Sequence, residues 1–437
     1  MTSSIRHLTL RQARDLLARS LVPPPLSDGI GLELEFLTFP TDDWSRRPTL
    51  ADIDDLIDRC CGLLPDGVRL TREPGGQLEV VTAPLGDARN ACAAAALALR
   101  EVVRLSRESE IRLVALGVDP ARPPLRILDE PRYRAMELHF RSIGGDGLQM
   151  MCNTAALQVN LGAGDEQTLL LRWRTTNALA PFLSAVFANS PFPPRPAQSN
   201  SRGDSGRLLS HRAAVWSAVE PSRCKPVPVG SSPVDDWIDY VLDADVMLIR
   251  RGPSEYVPLT CPFPFRQWLE EGHELGWPDE EDLAYHTTTL FPPVRPRGWL
   301  ELRALDTLPT PVWHVAVAVC SALLAEEAVM AEVLRWCGAL GDAHDIPPAG
   351  LSSPESRAVA EALFRIASEG LYTQGATEAA GMVDYWRVRW VARGLTPADE
   401  LLECGDDFTR ALQAREETGE TLVEGLVGSG QPRSGSR

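Results

Sequence analysis

Lysine is almost absent from this chain of 437 residues. Lys225 is the only lysine, so nearly all of the 43 basic residues are arginines. A Walker-type phosphate loop needs a lysine after its glycines, and Schiff-base or pyridoxal chemistry needs a lysine amine. These protein classes are therefore nearly excluded, whether the arginine bias reflects function or only the base composition of the coding sequence.

The chain also lacks excess positive charge, long apolar runs and Cys-x-x-Cys motifs. Its net charge of −17 argues against a nucleic-acid partner, because phosphate backbones are held by clustered lysine and arginine. The longest apolar run, 315–325, is shorter than the roughly 20 residues that span a bilayer. The nine cysteines are an odd number, and the N-terminus does not resemble a signal peptide. We expect a cytoplasmic protein with reduced thiols that contacts neither nucleic acid nor membrane.

Helices and strands are predicted to alternate without βαβ regularity. Most predicted strands alternate apolar and polar residues, which is typical of an antiparallel sheet with one packed face and one polar face. The strand-rich part covers 29–306 and helices follow over 310–427, so we predict an α+β fold and one catalytic domain, 1–427. The Gly-, Ser- and Arg-rich tail, 428–437, is predicted to be disordered.

Local sequence patterns also predict the positions of individual elements. Strands are predicted at 30–39, 153–161 and 298–303, with a strand pair over 68–82 that breaks at Pro74-Gly75-Gly76. Residues 237–251 are predicted to be strand-like, and one long helix is predicted from 310 to about 337. The loop 191–206, rich in Pro, Ser, Gly and Arg, is predicted to form part of a lid.

Glutamates recur on the polar faces of these strands. Glu33 and Glu35 alternate with leucines, so they share one strand face roughly 7 Å apart. Carboxylates crowded on one face repel one another unless a cation neutralises them. Hard oxygen ligands of this kind suit Mg²⁺ that holds a nucleotide phosphate. The same residue types occur on the other predicted strands, at Glu73, Glu79, Gln158 and Glu301.

Arginines could supply positive charge beside these carboxylates. Arg303 lies two residues from Glu301 and so shares its face, where it could stabilise a transferring phosphoryl group. Arg202, Arg212 and Arg223 could form a solvated face, but Arg212, which is followed by Trp216, could clamp a carboxylate. Two other interpretations of the glutamates stay open: a solvated strand face, and a glycosidase with paired carboxylates, although aromatics make up only 6% of the chain.

Several ordered motifs carry a more specific signal. In chain order they are Glu73-Pro-Gly-Gly-Gln-Leu-Glu79, Gly147-Leu-Gln-Met-Met-Cys-Asn-Thr154 with Gln158-Val-Asn-Leu161, Phe187-Ala-Asn-Ser-Pro-Phe192, and Phe291-Pro-Pro-Val-Arg295 with Leu300-Glu-Leu-Arg303. Together they resemble the plant-type glutamate-cysteine ligases. The resemblance is strongest to the actinobacterial branch, which makes γ-glutamylcysteine for ergothioneine biosynthesis, and it covers about 29–306.

The resemblance implies both a fold and a reaction. The fold would be like that of glutamine synthetase and the guanido kinases, in which an antiparallel sheet forms a funnel that holds magnesium and ATP. The γ-carboxylate of glutamate would accept the γ-phosphoryl group of ATP, and the amine of cysteine would then displace phosphate. The resemblance gives no residues for ATP itself and no oligomeric state.

The resemblance also assigns roles to individual residues. Arg303 would contact the transferring phosphoryl group, and Arg212 and Arg223 would recognise a substrate carboxylate. Glu73 would be a weaker ligand candidate. The magnesium ligands would be Glu33, Glu35, Glu79, Gln158 and Glu301.

Departures from the wider family leave the acceptor amino acid open. Gly162 replaces a common aspartate after the Gln158 motif, Val80-Val81-Thr82 replaces a usual Ser-Gly pair, and Leu305 precedes Asp306 where a smaller or polar residue is usual. The alternatives are therefore a glutamate ligase with another amine acceptor, a phosphotransferase like the guanido kinases, and a non-catalytic relative that only binds nucleotide or amino acid.

Overall fold

The computed structural model describes residues 7–21, 29–144, 146–193, 208–252, 254–310, 312–340, 347–405 and 407–419. All structural statements below concern these ranges. Residues 194–206 of the predicted lid loop 191–206, and the tail 428–437 that was predicted to be disordered, lie outside them.

The strands of the described residues belong to two sheets. Their bounds are β1 (Ile30–Pro40), β2 (Val68–Arg72), β3 (Leu78–Thr82), β4 (Ile111–Val114), β5 (Ala156–Gly162), β6 (Leu248–Gly252), β7 (Glu255–Pro258), β8 (Val294–Pro296) and β9 (Trp299–Asp306).

Helices surround the strands and make up most of the last third. Their bounds are α1 (Leu10–Ser20), α2 (Leu50–Cys60), α3 (Ala88–Glu108), α4 (Pro131–Ile143), α5 (Asp146–Asn153), α6 (Leu169–Val186), α7 (His211–Ala218), α8 (Pro221–Cys224), α9 (Pro233–Asp243), α10 (Phe265–Glu271), α11 (Glu280–Thr287), α12 (Trp313–Leu323), α13 (Glu327–Gly338), α14 (Pro354–Thr373), α15 (Thr377–Arg389), α16 (Pro397–Leu402) and α17 (Phe408–Ala414), with two 3₁₀ turns at Pro347–Ala349 and Val391–Arg393.

The main sheet is antiparallel throughout its described strand pairs. Its order is β2-β3-β1-β5-β9-β8, and β4 pairs with the second half of β1. A separate hairpin joins β6 and β7. The prediction of a largely antiparallel sheet with a helical C-terminal third is confirmed.

The two faces of the main sheet differ in polarity because side chains alternate along each strand. In β1, Leu32, Leu34 and Phe36 are buried, whereas Glu33 and Glu35 are only half-buried on the opposite face. Helices α3, α6 and α12 pack against the main sheet. One large hydrophobic cluster connects this apolar face with the C-terminal helices and includes residues from Leu8 to Val391.

A second hydrophobic cluster joins α4, α5, α7 and the β6–β7 hairpin. Its buried members include Met136 and Phe140 of α4, Met151 of α5 and Val215 of α7. Half-buried aromatic side chains cover this cluster, among them Trp216 and Tyr285. The extent of the single domain, 1–427, stays a prediction. No helix in the described ranges is long and apolar enough to cross a membrane.

The turn between β2 and β3 needs glycine at both of its central positions. A Cβ atom on Gly75 would lie 2.0 Å from the carbonyl oxygen of Cys152, and Gly76 has a φ of +87°. The Gln77 side chain accepts a bond from the Gly75 N–H and donates one to the Thr154 carbonyl oxygen. The turn therefore packs closely against the C-terminal end of α5.

Several sequence predictions of element type were wrong. Residues 146–153 form helix α5, so β5 begins only at Ala156 instead of at 153. The stretch predicted as a strand over 237–251 begins inside helix α9, because Trp237, Ile238, Val241 and Leu242 make a helical apolar stripe, and strand β6 starts only at Leu248. The single helix predicted from 310 to 337 is divided into α12 and α13.

We predict that Gly75→Ala lowers the free energy of unfolding by about 1–3 kcal/mol or more, because the new methyl group meets backbone that cannot rotate away. Urea denaturation measures the change. Gly86→Ala is the matched control, since a Cβ there has no neighbour within 4 Å, and it should be neutral or slightly stabilising. Equal unfolding curves for the two variants would contradict the close approach of this turn to Cys152.

Candidate active site

The polar face of the sheet brings acidic side chains of neighbouring strands side by side. Glu35 of β1 stands directly opposite Glu79 of β3, and Glu33 stands opposite Gln158 of β5. Like charges directly opposite one another destabilise an antiparallel pair. These residues were predicted to share one face, and the strand registers place them there.

Hydrogen bonds connect the carboxylate of Glu35 to an arginine. Glu35 accepts bonds from the backbone N–H of Ala156 at 2.8 Å and from Nε2 of Gln158 at 2.9 Å. The Oε1 atom of Gln158 in turn accepts a bond from Nη1 of Arg303 at 2.6 Å. Gln158 therefore lies between a carboxylate and a guanidinium group and bonds to both.

Glu33 is held from the next strand. Its Oε1 atom accepts a bond from Nδ2 of Asn160 at 2.9 Å, and Oδ1 of Asn160 accepts one from the indole N–H of Trp299 at 3.1 Å. Asn160 thus fixes the orientation of Glu33 through its amide group.

The negative charge of the carboxylates near β3 is poorly neutralised by positive side chains. Burial, together with the charges of Glu73 and Glu35, raises the pKa of Glu79 to about 9. Burial and the charge of Glu35 raise the pKa of Glu73 to about 7, and burial also raises the pKa of Glu35. Glu73 therefore belongs to the acidic cluster, although the sequence indicated it only weakly.

Glu301 is in the opposite electrostatic situation. Burial alone would raise its pKa, but the charges of Arg303 and Arg295 outweigh burial and lower the pKa to about 2. Arg295 Nε lies 2.5 Å from Glu301 Oε2, and Arg303 Nη1 lies 3.2 Å from the same oxygen. Arg297 approaches the other oxygen at 3.9 Å.

Arg212 joins this group from helix α7. Its Nη2 atom donates to the backbone carbonyl of Arg303 at 2.8 Å, and its guanidinium carbon lies 5.1 Å from the centroid of the Trp216 ring. Arg303 lies 5.7 Å from the same ring. The Nε atoms of both arginines and the indole N–H of Trp216 are buried without a hydrogen-bond partner. Unpaired buried donors of this kind favour an anionic ligand.

Arg223 makes contacts elsewhere. Its guanidinium group is fully buried, lies 2.5 Å from Glu220, and donates to the carbonyl oxygens of Thr289 and Asp245. These bonds connect α8 to the segments that contain Thr289 and Asp245. The contacts of Arg223 with the described residues do not include the glutamates of the acidic cluster. Its predicted contact with substrate stays a prediction.

The donor set fits magnesium in its chemistry but is not preassembled. The carboxylates are hard oxygen ligands, and the raised pKa values of Glu35, Glu73 and Glu79 indicate negative charge that lacks a cation. Yet no three Asp, Glu, His or Cys side chains in the described ranges stand close enough to hold a metal ion. Glu301 would have to leave its arginines to become a ligand.

Several site residues escaped the sequence reasoning. Arg295 stands opposite Glu301 in the β8–β9 hairpin, and the hairpin spacing between these two residues could have revealed it. Asn160 could have been found from its alternation with Gln158 on β5. No local sequence pattern marks Trp216 as a site residue. It lies on helix α7 and contacts Arg212 of the same helix and Arg303 of β9.

Solved structures show which class of protein has this fold. A glutamate-cysteine ligase of Francisella tularensis, solved in complex with AMP, aligns with a TM-score of 0.55 over 90% of this chain and 88% of its own, at 11% identity. A bifunctional glutathione synthetase of Pasteurella multocida aligns with a TM-score of 0.53 over 93% of this chain and 53% of its own, at 13% identity. The fold is that of glutamate-cysteine ligases.

Sequence comparison narrows the class to a family. The family model described as glutamate-cysteine ligase family 2, GCS2, matches residues 29–425, and the chain belongs to this family. It is 35% identical to the glutamate-cysteine ligase EgtA of Mycolicibacterium smegmatis, over 89% of this chain and 93% of the relative. It is 30% identical to the chloroplastic glutamate-cysteine ligase of Arabidopsis thaliana, over 79% of this chain and 67% of that protein.

We predict that the metal-free protein loses stability between about pH 7 and about pH 8.5. A carboxyl group with a pKa of about 9 in the folded protein keeps its proton there, whereas in the unfolded chain it is ionised. The unfolded state binds fewer protons, so raising the pH favours unfolding. Thermal melts at several pH values measure the slope.

Glu79→Gln is the matched variant, because its amide cannot ionise. It should show a smaller loss of stability with pH than the wild type, and added Mg²⁺ should raise the melting temperature of the wild type more than that of the variant. Comparison of the two chains cancels the titration of the buried thiols. Identical pH slopes would contradict the raised pKa of Glu79.

Proposed function

We propose that this protein is an ATP- and Mg²⁺-dependent ligase that joins the γ-carboxylate of glutamate to the amine of cysteine. One observation carries the proposal: Arg303 contacts both Glu301 and Gln158, and Gln158 bonds to Glu35. The guanidinium group of Arg303 is therefore fixed between the arginine-rich side of the site, at Glu301, and its acidic side, at Glu35. The family membership and the named relatives support the substrates.

The reaction has two steps that balance in atoms and charge. A γ-carboxylate oxygen of glutamate attacks the γ-phosphorus of ATP, the bond to the β-phosphate oxygen breaks, and ADP leaves. The cysteine nitrogen then attacks the acyl carbon of γ-glutamyl phosphate, inorganic phosphate leaves with the bonding electrons, and the nitrogen loses a proton. Catalysis depends mainly on positioning and on stabilisation of charge.

Arg303 is the catalytic residue in this proposal. Its charge is held in place by Glu301 at 3.2 Å and by Gln158 at 2.6 Å, while its Nε atom has no partner. A guanidinium group fixed in this way can bind the equatorial oxygens of the transferring phosphoryl group.

Arg212 is the residue that we propose for a carboxylate of glutamate. Its own Nε atom is also buried without a partner, and its guanidinium group contacts the Trp216 ring, as that of Arg303 does. Arg223 would act through its bonds to Glu220 and to Thr289, which hold the neighbouring segments in place.

Magnesium would be held by the half of the site at β1 and β3, where positive side chains neutralise little of the carboxylate charge. Bound there, it would neutralise phosphate charge and orient the γ-phosphoryl group. The chain contributes hard oxygen atoms for this purpose and a sheet that fixes their spacing. The proposed ligands are Glu33, Glu35, Glu79 and Gln158, with Glu301 and Glu73 as further candidates.

Cytoplasmic location and a role in ergothioneine biosynthesis are further parts of the proposal: the first rests on the cysteine content, and the second on the resemblance to the actinobacterial ligases. The acceptor amine is the part most open to test, because the sequence departs from the plant-type motifs beside Gln158 and Glu79.

The decisive measurement is the mass of the product. Purified protein incubated with ATP, magnesium, glutamate and cysteine should release ADP, phosphate and γ-glutamylcysteine. A panel of other amino acids and amines tests the acceptor, and a faster reaction with one of them would replace cysteine in the proposal. A stable phosphorylated guanidine would instead indicate a phosphotransferase, and no turnover with any acceptor would indicate a binding protein.

We predict that Glu33→Gln lowers kcat by about 100-fold or more, the usual cost of one lost electrostatic contact to a transition state. The amide keeps the shape of the side chain, so the melting temperature should change little. Glu369→Gln, on the exposed surface of α14, is the matched control and should keep full activity. Full turnover by Glu33→Gln would remove Glu33 from the metal site.

A further inference from the structure

Asp306, the last residue of β9, carries a buried carboxylate to which the proposed mechanism gives no role. Its Oδ2 atom accepts bonds from the backbone N–H of Asn189 at 2.8 Å and from the hydroxyl of Ser190 at 2.7 Å. Its Oδ1 atom accepts a bond from the hydroxyl of Ser210 at 3.0 Å. A buried carboxylate is costly unless hydrogen bonds and a positive charge compensate for the lost water.

Arg212 provides that positive charge. Its Nη1 atom lies 4.0 Å from Oδ1 of Asp306, and only 3% of the Arg212 side chain and 1% of the Asp306 side chain are exposed. Burial lowers the pKa of Arg212, and the charge of Asp306 opposes this change more than any other group does. Asp306 is therefore the main counter-charge of the arginine that we propose for a carboxylate of glutamate.

Asp306 also holds the helix that carries Arg212. The hydroxyl of Ser190, which donates to Asp306, accepts a bond from the backbone N–H of Arg212 at 3.2 Å. The hydroxyl of Ser210, which donates to the other oxygen, caps α7 and accepts a bond from the backbone N–H of Ala213 at 3.0 Å. Both hydroxyls thus connect the carboxylate to N–H groups in the first turn of α7, which have no acceptor within the helix.

The carboxylate of Asp306 is itself held firmly in place. A Cβ atom on Gly117 would lie 2.7 Å from its Cγ atom, so the backbone of Gly117 packs directly against it. Asn189 is fixed as well, because its side chain donates to the carbonyl oxygens of Ala115 and Thr307. Asp306 can therefore act as a fixed reference point for the start of α7.

A second carboxylate competes for the charge of Arg212. Burial raises the pKa of Glu35, and the charge of Arg212 opposes that rise more than any other group does. The charge of Glu35 acts in turn on Arg212, second to that of Asp306. Glu35 is one of the proposed magnesium ligands. If Arg212 turned towards Glu35, it would leave the substrate carboxylate and neutralise a group that the metal needs.

We propose that Asp306 is a positioning residue that holds Arg212 ready for the substrate carboxylate and keeps it from pairing with Glu35. Asp306 acts through Arg212 and through the first turn of α7, and it does not touch the substrate itself. The role of Arg212 in binding glutamate rests on the proposed function. The position of Arg212 rests on the contacts described above.

Asp306→Asn tests this role because it removes the charge and keeps the shape of the side chain. The amide oxygen can still accept the two bonds made by Oδ2, but Arg212 loses its counter-charge. We expect KM for glutamate to rise about ten-fold or more, while KM for ATP and kcat change less than about three-fold. The reason is that a contact of equal strength in the bound substrate and in the transition state affects KM and not kcat.

Asp119→Asn is the matched control, because Asp119 is also fully buried and pairs with a buried arginine, Arg122, at 2.7 Å. Both variants should lower the melting temperature, but Asp119→Asn should leave KM for glutamate unchanged. An equal rise of this KM in both variants would show a general loss of structure and overturn the proposal.

Ser190→Ala provides a second variant that keeps the charge of Asp306 and removes its link to the backbone of Arg212. It should raise KM for glutamate about three-fold, the usual effect of one hydrogen bond. Wild-type values of KM for glutamate in both Asp306→Asn and Ser190→Ala would contradict the positioning role.

A crystal structure of ligand-free Asp306→Asn separates this proposal from the proposed function, because it needs neither substrate nor turnover. We expect the guanidinium group of Arg212 to leave the carbonyl oxygen of Arg303, which it contacts at 2.8 Å in the wild type, and to bond to Glu35. An unmoved Arg212 refutes the positioning role, whatever reaction the wild type catalyses. Failure of the wild type to bind glutamate in titration calorimetry would instead contradict the proposed function.

Discussion

The repulsion between carboxylates on one face of an antiparallel sheet is the constraint on which this site depends. The register places Glu35 opposite Glu79, and sheet hydrogen bonds prevent these residues from moving apart. The backbone can hold such a charge cluster because its other face is covered by helices and contributes the stability that the acidic face lacks. The apolar face is therefore as necessary to the chemistry as the glutamates are.

Arginine side chains neutralise part of this negative charge, because the chain has only one lysine. A guanidinium group keeps its charge when buried and can bond to several acceptors at fixed angles. Arg303 uses both properties, since it bonds to Gln158 and to Glu301 while only 12% of its side chain is exposed. A lysine ammonium at this position would contact fewer of these partners and would lose its proton more readily.

Alternation of side chains predicted the strands and their shared polar face, because a period of two in β1 and β9 depends only on local sequence. It failed where tertiary packing decides the structure: β5 begins at Ala156 instead of at 153, and Trp237 lies on an apolar helical stripe instead of a strand. The prediction of the site residues succeeded and failed for the same two reasons. Glu33, Glu35 and Glu79 follow from periodicity, whereas Trp216 reaches the site from helix α7, whose placement no local pattern specifies.

The acidic face has two electrostatic halves, and this division indicates where a cation and a phosphoryl group would go. At Glu301, arginines lower the pKa to about 2, so that carboxylate is already neutralised and its arginines can also face an anion. At Glu79, burial and, after it, like charges raise the pKa to about 9, so only a proton or an external cation can neutralise the group. Because Gln158 bonds to Glu35 and to Arg303, it lies on the boundary between the halves. A phosphate bridging that boundary would meet metal on one side and guanidinium on the other, which is the arrangement that phosphoryl transfer to a carboxylate requires.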